Sequence, residues 1–107
     1  MLALDVMSQH DHLRHTLATL AYRAAKAMAG APESFADFDA GKGARRPVAI
    51  VAHMGDLMAW ALSQARGHER WAASPPGTWD EEVSSFFSGM ATLDAFLADG
   101  DSLGQPE

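Results

Sequence analysis

The chain contains no cysteine. That excludes disulfides, a thiolate nucleophile, cysteine-ligated zinc and thiol redox chemistry. Basic residues are also scarce, with 8 Lys and Arg against 14 Asp and Glu and a net charge of −6. They gather nowhere beyond Arg45–Arg46, so no basic face exists to track a phosphate backbone, and nucleic acid is not an expected partner. The longest apolar run falls far short of the ~20 residues of a spanning helix, so a membrane is not an expected partner either. The N-terminal stretch MLALDVMSQHD has neither the basic region nor the long apolar region of a secretory signal, and a cytoplasmic location is the expectation. Strict apolar–polar alternation is missing, so no strand pattern competes with helix. The GxSxG, Walker and dinucleotide fingerprints are missing too.

What remains is a helical pattern in 107 residues that are 48% hydrophobic, enough for one small domain with a modest core. The first helix is expected over about residues 5–29. Val6, His10, Leu13, Leu17, Leu20, Ala24 and Met28 recur there at spacings of three and four. Asp5 or Ser8 is its candidate cap, and Gly30 with Pro32 stops it. Residues 31–46 are a long connection without a period, in which Phe35 and Phe38 are candidates to pin the loop to the bundle. Its acids lack the ordered oxygen spacing of a calcium loop.

The second helix runs from Pro47, suited to the first helical position, to Gly67, suited to the residue just past the last turn. At 100° per residue its apolar arc exceeds half the circumference, which marks it as the central helix with at least two helical neighbours. Pro75-Pro76-Gly77 breaks the chain between Trp71 and Trp79, two candidate packing lids. Thr78 and Glu81 then form a capping box for a third helix, whose apolar face carries Val83, Phe86, Phe87, Met90, Leu93 and Leu97. Gly100 ends that helix, and a polar tail follows over 99–107. The expected fold is all-α, an up-and-down bundle of three long helices within residues 1–98. The arc of the second helix asks for a further neighbour, a fourth helix or a second copy of the chain. A homodimer is therefore the expected state.

Three polar residues stand out. His53 is the single ionisable ring on the inward arc of the second helix. Asp56 follows three residues later, where it can orient His53, pair with Arg14 or Arg23, or stay solvated. His10 is the other histidine on an inward stripe. His12, His15 and His68 are expected to face solvent. Met54, Met58 and Met90 are expected core filler.

The segment RRPVAIVAHMGDLMAWAL, with its proline-started helix, His53-Met54-Gly55-Asp56 and the following Trp60, resembles the second helix of the DinB-like superfamily of bacterial four-helix bundles. The long first helix, the long first connection and the tryptophan-containing loop before the third helix fit the same pattern. The resemblance implies a divalent metal, nickel or zinc, held by one histidine of the second helix and two histidines four apart on the fourth. His53 matches the first of these, and the fourth-helix pair has no counterpart among these residues. The activity implied is that of a metal-dependent hydrolase or thiol-dependent transferase acting on a small molecule. Without a fourth helix, the ligand set to look for is His53 with His10 and Asp56, or with Asp94 as third donor, because a catalytic site needs three protein ligands. The alternative expectation is a bundle without metal or catalysis that acts by self-association or protein interaction.

Overall fold

The structure is a computed structural model that describes residues 2–99, with side chains from Gln9 onward. It is all-helical over those residues: α1 spans Leu2–Met28, α2 spans Pro47–Ala65 and α3 spans Trp79–Ala98. One short 3-10 turn, Glu33–Asp37, lies in the first connection.

The punctuation read from the sequence is mostly where it was expected. Pro47 opens α2. Gly67 closes it with a φ of 82°, while Gly67 and His68 donate back to the carbonyls of Gln64 and Ser63. Thr78 caps α3, with its Oγ1 accepting from the Glu81 N–H at 3.1 Å and Glu81 Oε1 accepting from the Thr78 N–H at 2.9 Å. The start of α1 differs. The helix already includes Asp5 and Ser8, so neither is its cap. Gly100 and the tail after residue 99 lie outside the described residues.

Two expectations about arrangement are corrected. First, the middle helix is α3. It packs against both α1 and α2, while the backbones of α1 and α2 stay more than 8 Å apart, Cα to Cα, among the described residues. Second, α2 and α3 run parallel rather than up and down. Gly55 lies beside Phe86, Gly89 beside Met58, and Arg66 beside Phe96, so both residue numbers rise together. The connection makes this possible. α2 is about 28 Å long, and the thirteen residues between Ala65 and Trp79 can span about 43 Å when extended. They return along the outer face of α2 and start α3 at the same end of the bundle. α1 is antiparallel to both, as the Arg14–Asp94 pair and the contact of Ala24 with the Phe86 layer require.

The core holds Ala24, Ala36, Val48, Val51, Trp79, Phe86 and Met90, with Met54 and Met58 packed against it. Phe86 is its tightest point at 1% exposure. The first connection is pinned by buried Ala36 and by Phe35, whose ring meets Trp79 edge-on at 5.7 Å. Phe38 stacks on Phe35 at 6.3 Å and stays largely exposed, so it does not anchor the loop. Trp79 is the packing lid the sequence suggested, and Trp71 is not, being half exposed.

Candidate functional site

Because α3 separates α1 from α2 on one side only, the other side is left open as a groove. Leu13, Thr16 and Leu17 of α1 form one wall, and Ala61, Gln64 and Ala65 of α2 form the other. Leu93 and Leu97 of α3 make the floor, and the space between them measures about 570 Å³. Leu13 is 38% exposed, and so is Leu20. The apolar stripe of α1 is thus split. Ala24 and Met28 join the core, Leu13 faces the groove, and Leu17 borders both. No charged side chain lines the groove.

The histidines are placed apart from one another. Arg14 stands level with Asp94, and Gly55 with Phe86. Counted along the helices, His10 stands near the height of Ala98 and His53 near that of Ser84, about 20 Å apart along the bundle. His10 is 8% exposed, and His53 is half-buried on the outer side of α2. Asp56 is half-buried and makes no side-chain hydrogen bond among the described residues. It does not pair with Arg14, whose Nε and Nη2 donate to Asp94 Oδ1 and Oδ2 at 2.9 and 3.2 Å. That contact raises the Arg14 pKa and holds the Asp94 carboxyl below its ordinary value. It also commits Asp94 away from any ligand role. His12, His15 and His68 are exposed as expected.

His53, His10 and Asp56 are therefore not brought together. No group of three His, Asp or Glu side chains close enough to hold a metal exists among the described residues. The donor set that the DinB resemblance implies is not assembled by these residues.

What does surround His53 is aromatic. Trp71, on the returning connection, meets the His53 ring edge-on at 5.9 Å and the Trp60 ring at 6.3 Å. Trp60 Nε1 donates to Glu69 Oε2 at 3.0 Å, and the Arg70 N–H donates to Ser63 Oγ at 2.9 Å. Sequence reasoning singled out neither the groove nor this cluster, because both depend on the path of the connection. The one signal in the sequence was the over-wide apolar arc of α2.

Comparison with family profiles, with characterised proteins and with solved structures gives no match.

Proposed function

We propose that this chain is a non-catalytic helical interaction module that pairs with a second copy of itself through the groove between α1 and α2. The observation that carries the reading is the groove, an apolar trough of about 570 Å³ between two helices whose backbones stay apart. A concave, mostly apolar cleft of this size is a candidate binding site.

A second copy suits the groove better than an unrelated helix for two reasons. The chain carries a net charge of −6, and the groove wall is one place where two such chains meet without opposing like charges. The walls are also self-complementary. The α1 wall presents leucine, and the α2 wall presents Ala61 and Ala65 at the same height. A two-fold axis parallel to the helices sets α1 of one copy antiparallel to α2 of the other, with Leu13 between the partner's Ala61 and the partner's Ala65. An isologous interface needs this kind of match.

The absence of cysteine makes the test direct. Single-cysteine chains Leu13→Cys and Ala61→Cys are mixed in equal amounts and oxidised mildly. Mixed disulfide dimers are expected to form well ahead of links within either chain population. Same-variant links at equal rate overturn the arrangement, and the lack of any link at high micromolar concentration overturns the pairing.

A further inference from the structure

We infer that the corner between Trp60 and Trp71 binds the quaternary ammonium group of a small solute. Leu57, Trp60, Glu69 and Trp71 line an open cavity of about 340 Å³ beside α2, and none of them lines the groove. The two indole rings stand at 86° to each other with centroids 6.3 Å apart. Both rings border the cavity, so a cation seated there lies against aromatic surface, the setting of cation–π attraction.

The corner is held from several sides. Glu69 is tied to the Trp60 indole, Ser63 holds the backbone at Arg70, and His53 meets Trp71 edge-on from α2. Trp71 nevertheless leaves 48% of its surface open, more than a tryptophan serving only as packing would. Glu69 adds the negative charge. One of its oxygens accepts from Trp60, and the carboxylate stands at the edge of the cavity.

These features select the ligand. The negative ring faces and the carboxylate reject anions. Glu69 is the one ionised acceptor in the cavity, so a strongly hydrated ammonium would lose more water contacts than the site returns. A methylated, weakly hydrated cation loses little and gains contact with the aromatic rings. A cavity of about 340 Å³ lined by four residues fits a small solute rather than a peptide.

The test is tryptophan fluorescence of the whole chain titrated with choline at constant ionic strength, beside its neutral isostere 3,3-dimethylbutan-1-ol. The expected result is a saturable response to choline with a Kd of millimolar order, at least about tenfold tighter than the isostere. Glu69→Gln is expected to weaken choline binding several-fold with the helical circular dichroism unchanged. Trp71→Ala is expected to abolish the saturable response, and Trp71→Phe to retain part of it. Equal binding of the isostere overturns the proposal. So does an undiminished choline response in folded Trp71→Ala.

Discussion

Gly89 on α3 faces Met58 of α2 so closely that a Cβ there would lie 2.9 Å from the Met58 Cβ. A Cβ has no rotamer by which to retreat, so the helices would have to part. Gly55 is different: its added Cβ would meet Phe86 backbone atoms at 3.7 Å and beyond, an ordinary contact. Alanine is favoured over glycine inside a helix by about 1 kcal/mol. Gly55→Ala is therefore expected to stabilise the fold by up to about that amount, and Gly89→Ala to destabilise it despite the same gain in propensity. Urea midpoints of the two variants check the opposite signs. The Arg14–Asp94 pair shows the limit of a surface contact, with side chains 43% and 38% exposed. The Arg14 hydrogen bond depresses the folded Asp94 pKa, so its stabilisation is present above the unfolded carboxylate value of about 4. It is lost as pH falls through the lower folded value. Exposure and salt screening keep it small. Asp94→Asn is expected to lower the urea midpoint slightly at pH 6 and to match the wild type well below pH 3.

At the scale of the elements, what was legible in the sequence was local. Pro47, Gly67 and the Thr78–Glu81 box act within a turn of their own backbone, so residue identity alone places them. The direction of α3 was not legible. The thirteen-residue connection is long enough either to turn at one end or to return along α2, and the choice rests on contacts such as Ser63 with Arg70 and Trp60 with Glu69. The wide apolar arc of α2 was read as two helical neighbours. It has one, α3. Part of the rest lies under Trp71, and part lines the groove. That His10, His53 and Asp56 are not brought together has the same reason. His10 and His53 each lie on an inward stripe of their own helix, but stripes carry no information about height along a bundle. Two truncations separate core from surface here. Phe86→Ala should cost about 3–5 kcal/mol, a large share of the roughly 5–15 kcal/mol available to a small domain. His53→Ala, at a half-buried ring with one aromatic contact, should cost no more than about 1.5 kcal/mol. Thermal unfolding of both variants checks the contrast.

At the scale of the whole molecule, three helices in the order α1–α3–α2 leave an unfilled position between the outer two. In the proposed dimer the leucines of α1 meet the alanines of α2 there across a two-fold axis, and neither wall carries charge. No helix of the described residues is long and apolar enough to cross a membrane. The measurement that tests this account most directly is the solution mass by light scattering, for the wild type and for Ala61→Glu, which puts a charge on the α2 wall away from the core. The account predicts a wild-type mass twice the 11.4 kDa of one chain, and a single-chain mass for Ala61→Glu with its helical content retained. A wild-type mass of one chain at high micromolar concentration would contradict it.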